Sequence, residues 1–241
     1  MSYENNYDND YVPMSVMAAE SPAVERSAFI TKTYLHLAGA IAVFAALCAV
    51  WLHIPGIEKL VALMLGNRLS WLIVLGAFMG VAWIADSWAN NAVSRTTQYF
   101  GLGLYVFAES IIFVPLLYLA TIIYPQAIIM ATWSTGGLLL VLTAVVFLTR
   151  KDFSFLRPIL IFASLAALGF IVVGAIFSFA YGPIFTYLMI ALACCYILYD
   201  TSNIMLHYRT DQYVAASLAL FASVALLFWY ILQLYLSSQR D

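Results

Sequence analysis

Seven long apolar segments alternate with short polar ones along the 241-residue chain. Each apolar segment runs for about 20 residues, the length that an α-helix needs to cross the hydrocarbon core of a bilayer. Transmembrane strands would instead alternate polar and apolar positions over about 10 residues. The pattern predicts an all-α polytopic membrane protein, a seven-transmembrane-helix bundle. The expected spans are residues 34–52, 69–85, 99–118, 127–148, 156–177, 184–205 and 214–236, with a short amphipathic piece at 57–65.

The composition supports a membrane protein. Hydrophobic residues make up 65% of the chain, charged residues only 9%, and the mean hydropathy is +0.95. Soluble domains carry about a quarter charged residues, so this chain has too little charge to cover a water-exposed surface. Its net charge is −2 and it has no basic tract, so nothing predicts nucleic-acid binding. The lipid bilayer is therefore the first expected partner.

Residues 1–25 differ from the rest because they are polar and unpatterned. They contain five acidic residues and no Lys or Arg, whereas a secretory signal would need basic residues followed by an apolar core. We expect a disordered polar, acidic cytoplasmic tail at 1–25 and a seven-helix membrane domain at 26–241. With no targeting peptide and short loops, the chain is expected in a bacterial plasma (inner) membrane as a multi-pass protein, with an organelle membrane as the alternative.

The Lys and Arg residues predict the orientation of the bundle. With seven spans, the N-terminal tail shares one side with the loops after spans two, four and six. That side holds seven of the ten basic residues and the other side holds three. Because cytoplasmic loops carry the excess of Lys and Arg, the N-terminus is expected in the cytoplasm and the C-terminus outside. The seven are Arg26, Lys32, Arg95, Arg150, Lys151, Arg157 and Arg209.

Two acids inside the predicted spans are the best candidates for function. Asp200 lies in the cytoplasmic half of span six, within a polar run from Tyr199 to Asn203. An ionisable group in a membrane helix usually faces a polar interior, although an aspartate near a helix end can also snorkel to water. Glu109 lies near the bilayer centre in span three, where it must be neutral, hydrogen-bonded or facing water. A neutral structural acid remains the alternative for Glu109.

Other candidates are weaker. Arg95 begins span three on the side of Asp200, so it could form a gate with that carboxylate, or it could be an anchor without a partner. The spacing of Gly76 and Gly80 is that of a GxxxG motif, which lets another helix come close. No HExxH motif and no catalytic triad spacing occur, and the cysteines form no CxxC motif. We therefore expect no enzyme activity, no catalytic residues, no cofactor and no metal site.

Several sequence features occur together in the order of a known family. A Phe29–Leu37 segment opens span one, Glu109-Ser110 and Pro115 lie in span three, and Tyr199-Asp200-Thr201 lies in span six. Over residues 26–236 the chain resembles the Bax-inhibitor family, also called the transmembrane Bax inhibitor motif family. The resemblance implies a seven-helix bundle that acts as a pH-sensitive calcium leak channel. Some bacterial members are described instead as interacting with a membrane-bound AAA protease.

The resemblance also implies a pair of aspartates, one in span six and one in span seven, that shares a proton and gates the pore. Asp200 matches the first of these positions, but Ser223 stands where the second aspartate is expected. The glycine usual after the span-three glutamate is Ser110 here. A single carboxylate lacks the repulsion that makes a pair share a proton. Calcium also prefers more oxygen ligands than one carboxylate and a hydroxyl provide.

Two functions of different kinds remain from the sequence. The first is a passive ion leak of the calcium type, or a transport protein, with Asp200, Glu109, Ser223 and Arg95 along the ion path or gate. The second is a non-catalytic modulator that binds a membrane protease or another membrane complex. The acidic tail fits the second slightly better, since a partner on the cytoplasmic side could grasp it.

Overall fold

The structure is a computed structural model that describes residues 16–91, 94–177 and 182–239, without the side chain of Arg68. Within these ranges the chain forms eight α-helices and no strand. The expected disorder of residues 1–15 and the expected external position of the C-terminal residues 240–241 concern parts of the chain outside these ranges. The helices are α1 (Ala23–His53), α2 (Ile57–Leu65), α3 (Arg68–Ala89), α4 (Arg95–Ile123), α5 (Gln126–Thr149), α6 (Leu156–Phe177), α7 (Pro183–Leu206) and α8 (Tyr213–Ser237).

Seven of these helices are long and apolar enough to cross a membrane, which confirms the predicted all-α polytopic bundle. The eighth, α2, is the short amphipathic piece expected at 57–65. Several helices are longer than the predicted spans, and α1 begins eleven residues before its span. Hydropathy detects only the part of a helix that lies in hydrocarbon, whereas the backbone hydrogen bonds of the helix can continue into polar sequence. The start of α4 is also capped, because the Ser94 side chain accepts a hydrogen bond from the backbone N–H of Thr97.

Two helices, α4 and α8, form the centre of the bundle. Both bury more of their length than the others, and α8 packs against α1, α4, α5 and α7. Phe113 of α4 lies at this centre, with ring centroids 5.0 Å from Phe44 of α1 and 5.0 Å from Trp229 of α8, both edge-on. Peripheral helices instead expose large apolar side chains, such as Trp83 of α3 and Phe162 of α6. Such exposure is expected of surfaces that face lipid.

The closest approach between α3 and α4 occurs at Gly101. A Cβ atom at this position would lie 2.5 Å from the carbonyl oxygen of Ala85 and 2.5 Å from the backbone nitrogen of Ala89. The expected GxxxG contact is not made, because a Cβ atom at Gly76 or at Gly80 would meet nothing within 4 Å among the described residues. The interpretation of Gly76 and Gly80 as a close-packing motif was therefore wrong. The residue that lets two helices approach is a glycine of α4 outside that motif.

The segment before α1 packs against the loop between α7 and α8. The backbone N–H of Ala18 donates to the carbonyl of Tyr208, and Met17 and Arg209 form an isolated antiparallel bridge. Ala18 is fully buried and α1 begins at Ala23. Residues 16–22 therefore pack on the bundle, although they precede residue 26, where the membrane domain was expected to begin. Backbone hydrogen bonds hold this segment, and composition alone does not reveal such bonds.

Candidate functional site

The Asp200 carboxylate is joined to α8 by a hydrogen bond inside the bundle. The Ser223 hydroxyl donates to Oδ2 of Asp200. Both side chains are buried, with relative exposures of 7% for Asp200 and 6% for Ser223. A hydroxyl that donates to a carboxylate forms a charge-assisted bond, stronger than one between neutral groups. The structure therefore brings two of the four predicted site residues together, and Asp200 faces the bundle interior rather than snorkelling to water.

The two residues after Asp200 extend the polar surroundings. The Ser202 hydroxyl accepts a hydrogen bond from the backbone N–H of Phe153 at 3.0 Å, which fastens α7 to the loop between α5 and α6. The hydroxyls of Thr201, Thr143 and Tyr34 are buried next to one another, and Tyr34 lies within side-chain hydrogen-bonding reach of both threonines. In the described part of the chain these contacts are longer or less well aligned than ordinary hydrogen bonds, so the three hydroxyls are only weakly paired.

Glu109 lies in the middle of α4, buried to 7% exposure. Its Oε2 atom has no hydrogen-bond partner among the described residues. Cys48 of α1 and Tyr105 of α4 lie close enough to interact with its charge. The neighbouring Ser110 accepts a hydrogen bond from the indole N–H of Trp51 at 3.0 Å. No cation is paired with Glu109 in the described ranges, which leaves a neutral acid or one that faces water as the consistent states.

A cavity of about 740 Å³ connects Glu109 with Ser223. Most of its walls are apolar, formed by side chains of α3, α4, α6, α7 and α8. Ser223 lies on its wall and bonds to Asp200 behind that wall. The cavity is partly open, and it places Glu109, and Asp200 by way of Ser223, beside one space between the helices. Its polar lining residues are Tyr105, Glu109, Ser164, Tyr196, Ser223, Tyr230 and Gln233.

Arg95 is not part of this group. Its guanidinium donates to the carbonyl oxygen of Asp211 and, at 3.3 Å, to the side-chain oxygen of Gln98. It also lies 5.0 Å from the centre of the Tyr213 ring. Arg95 forms no ion pair with Asp200 in the residues that the structure describes, so the pairing considered from the sequence is not made here. Arg95 belongs to the end of the bundle where α4 and α8 begin.

Charged groups in the loops at that end pair with one another. The Arg209 guanidinium donates two hydrogen bonds to Asp211, at 3.2 and 2.9 Å, and holds the pKa of that carboxyl below its usual value. The pKa of Asp152 is also lowered, mainly because the backbone N–H of Ser154 donates to it. His207 lies 3.6 Å from Asp152. These acids are solvated loop groups and add no ligand to the Asp200 pair.

A divalent cation finds few ligands here. In the part of the chain that the structure describes, no group of three or more His, Cys, Asp or Glu side chains could hold a metal ion. Asp200 and Ser223 together offer one carboxylate and one hydroxyl, whereas Ca²⁺ takes six to eight oxygen ligands. The pair can therefore hold or release a proton, or contact a passing hydrated cation, more readily than it can bind calcium tightly.

Sequence reasoning missed several polar residues of this interior. Tyr34, Thr143 and Gln233 carry buried side-chain oxygen atoms, and Tyr105 lines the cavity beside Glu109. Each lies in an apolar run, and a single polar residue among apolar ones forms no pattern that marks it as part of a site. Tyr105 had a signal that could have been used, because it lies one helical turn before Glu109 and so on the same face.

Comparison with known proteins is consistent with this architecture. A family model described as "Inhibitor of apoptosis-promoting Bax1" matches residues 26–241. The chain is also similar to Protein LIFEGUARD 3 of Arabidopsis thaliana, with 31% identity over 91 residues. That similarity covers 37% of this chain and 37% of the plant protein. Because the family match covers nearly the whole described membrane domain, the chain belongs to the Bax-inhibitor family.

Proposed function

We propose that this protein is a passive cation leak of the inner membrane whose response to pH is weak. The observation that carries the proposal is the Asp200–Ser223 hydrogen bond at the wall of a cavity that also contains Glu109. Buried carboxyl groups in membrane helices are costly, and those that face an internal cavity are typical of ion or proton pathways. The resemblance to calcium leak channels of the same family makes calcium the first cation to test.

The weak response to pH follows from the chemistry of the pair. Two adjacent carboxylates repel each other and tend to share one proton, which makes such a pair a pH-sensitive latch. Here the partner of Asp200 is a hydroxyl, which can donate its bond to the carboxylate whatever the pH. The contact between α7 and α8 therefore lacks the shared proton that would make it break or form near neutral pH.

The test is calcium flux into liposomes that contain the purified protein, measured across about pH 6 to 8. We expect a slow flux with little pH dependence, changed at least several-fold by Asp200→Asn, which removes the charge and keeps the shape. Asp152→Asn is the matched control, because it removes an exposed loop carboxylate and should leave the flux unchanged. Flux that is absent from the parent, or equal in the parent and Asp200→Asn, would overturn the proposed pathway.

A second candidate function is the modulation of a membrane-bound protease. The observation that favours it is the anchoring of residues 16–22 to the loop between α7 and α8. This contact would hold the acidic segment before residue 16 at one end of the bundle, where a partner could grasp it. The direct test is co-purification with a membrane-bound AAA protease, comparing the parent with a variant in which Glu4, Asp8 and Asp10 are replaced by amides. Equal recovery of both proteins would count against this function.

A further inference from the structure

Five residues from three helices form a cluster at the end of the bundle where α4 and α8 begin. They are Lys32 and His36 of α1, Arg95 and Tyr99 of α4, and Tyr213 of α8; we call them the basic cluster. His36 Nδ1 lies 2.6 Å from the carbonyl oxygen of Lys32 and must donate to it. In the neutral ring Nε2 then accepts from the Tyr99 hydroxyl at 3.0 Å, and the hydroxyls of Tyr99 and Tyr213 are 3.3 Å apart.

Two cations of the basic cluster point to the same aromatic ring. The Arg95 guanidinium lies 5.0 Å and the Lys32 ammonium 5.7 Å from the centre of Tyr213. Across residues 16–91, 94–177 and 182–239, neither cation forms an ion pair with a carboxylate. The hydrogen bonds of Arg95 go to neutral oxygens, those of Gln98 and of the Asp211 backbone. Both cations therefore keep charge that no protein anion neutralises directly.

The acid beside Arg95 is already paired. The side chain of Asp211 accepts two hydrogen bonds from Arg209 and interacts with Arg95 only at longer range. The charge of Asp211 is therefore balanced mainly by Arg209 and not by Arg95. The first turns of α4 and α8 begin at this place and add the partial positive charge of two helix N-termini. The local charge is positive and suits an anion.

The basic cluster lies at the depth in the bilayer where lipid phosphates are found. Lys32 lies about 32 Å along α1 from His53, at 1.5 Å per residue, which is close to the ~30 Å thickness of the hydrocarbon core. Arg95 and Tyr213 are the first residues of their helices. When the apolar part of α1 fills the hydrocarbon core, the cations lie at its boundary. Headgroup phosphates occupy this layer, so a lipid can reach the cluster without leaving the membrane.

The surface beside the basic cluster is apolar and exposed. Leu35 next to His36 is 65% exposed, and Phe100 next to Tyr99 is 66% exposed. An acyl chain could lie along these side chains while its phosphate contacts Lys32 and Arg95. A soluble phosphate would gain nothing from Leu35 and Phe100, which favours a lipid over a free anion. Basic pockets between membrane helices are a known means of holding acidic headgroups.

We propose that the basic cluster binds the phosphate group of an anionic phospholipid and joins α1, α4 and α8 through it. Lys32 and Arg95 supply the charge, and the Tyr213 ring lies beside both cations, 5.7 Å from the Lys32 ammonium and 5.0 Å from the Arg95 guanidinium. The site is independent of the proposed cation leak, since it uses neither Asp200 nor Glu109.

The experiment measures lipid binding to the full-length protein by native mass spectrometry, with phosphatidylglycerol and phosphatidylcholine titrated into the same detergent. The parent should retain phosphatidylglycerol selectively. Lys32→Gln should weaken that binding about five-fold, and Lys32→Gln with Arg95→Gln about 30-fold. The matched control, Lys151→Gln with Arg157→Gln, removes two exposed cations in the loop and helix start that follow α5 and should keep the affinity within about two-fold.

Lys32→Gln alone keeps the proposal testable if the double variant does not fold, because the Lys32 side chain is exposed. Equal losses in the Lys32→Gln protein and in either control substitution alone would show general attraction to a positive surface and overturn the site. Displacement of the lipid by an equal concentration of inorganic phosphate would also overturn it, since the site would then recognise a free anion. Retention of both lipids without preference would have the same consequence.

Discussion

Ser223 of α8 donates a hydrogen bond to Asp200 of α7 at the wall of the cavity that also contains Glu109. Both residues are buried, so water cannot easily replace the hydroxyl if it is lost. The contact therefore has a structural role. The hydrogen bond links the Asp200 carboxylate, which is costly to bury, to α8, the most buried of the membrane helices.

Replacing Ser223 by Ala should destabilise the protein by about 1–2 kcal/mol, because Oδ2 of Asp200 loses its donor in a buried position. The measurement is thermal unfolding of the purified protein in detergent. Ser217→Ala is the matched control on the same helix. Ser217 is equally buried, but its hydroxyl bonds only to the Val214 carbonyl of its own helix, so its loss should cost less. Equal losses in the two variants would show that the bond to Asp200 adds nothing.

Glu109→Gln should fold, insert and unfold like the parent. Glu109 is buried without a cation partner among the described residues, so its neutral form is favoured and Gln nearly reproduces that form. Unfolding temperature and membrane yield are the measurements. Glu109→Lys is the control for sensitivity, since a fixed charge at the centre of a membrane helix costs about 2.5–3.5 kcal/mol on insertion scales. A large loss of stability in Glu109→Gln would show that the charged carboxylate is needed.

Gly101→Ala should destabilise the packing of α3 on α4 by about 2–3 kcal/mol, because its Cβ would collide with backbone atoms of Ala85 and Ala89. Gly103→Ala, two residues further along α4, is the matched control. Its Cβ would meet nothing within 4 Å, so the change should be neutral or slightly stabilising. Unfolding in detergent measures both. Tolerance of Ala at Gly101 would mean that the helices can separate at little cost.

Periodicity and length were enough to predict the helices but not their contacts. The bounds of α2 and α6 agree with the expected 57–65 and 156–177, because sharp polar breaks flank them. The helix contact at Gly101 was not predicted. Gly101 packs against backbone atoms of α3, and the sequence around Gly101 does not show which helix lies opposite. Gly76 and Gly80 show the opposite case: the sequence contains the motif, but no other described helix packs closely against these two glycines.

In the candidate site, too, the sequence revealed some of the residues but not the contacts between them. Asp200 and Glu109 could be found because charge is rare in a membrane helix. Ser223 was found only through the family resemblance, since serine is common in apolar helices. The contacts of Arg95 depend on where α8 begins, and the length of the preceding loop does not reveal that. Tertiary geometry therefore decided which of the charged candidates meet.

The N-terminus should be cytoplasmic and the C-terminus external, because seven of ten basic residues fall on the side of the N-terminal tail. Reporter fusions at the two termini and after Lys151 measure this. The fusion after Lys151 serves as an internal control, since it should report the same side as the N-terminus. A C-terminal reporter that is active only in the cytoplasm would require an even number of crossings and contradict the seven spans.

Ser223→Asp should introduce pH-dependent calcium flux. The new carboxylate would lie against Asp200, where the parent has a hydroxyl, and two buried carboxyl groups in contact cannot both ionise easily. A shared proton would hold α7 and α8 together at low pH, and its loss as pH rises would separate them and increase the flux. Calcium would also gain a second carboxylate ligand.

Flux into liposomes across about pH 6 to 8 compares the parent with Ser223→Asp and with Ser223→Asn, which has nearly the same shape without the charge. Only the aspartate should produce the pH dependence. A strong pH-dependent flux in the parent that Asp200→Asn leaves untouched would show that gating resides elsewhere. If the parent is silent and only Ser223→Asp conducts, the natural serine has closed the leak, and binding to a membrane partner becomes the better account of this protein.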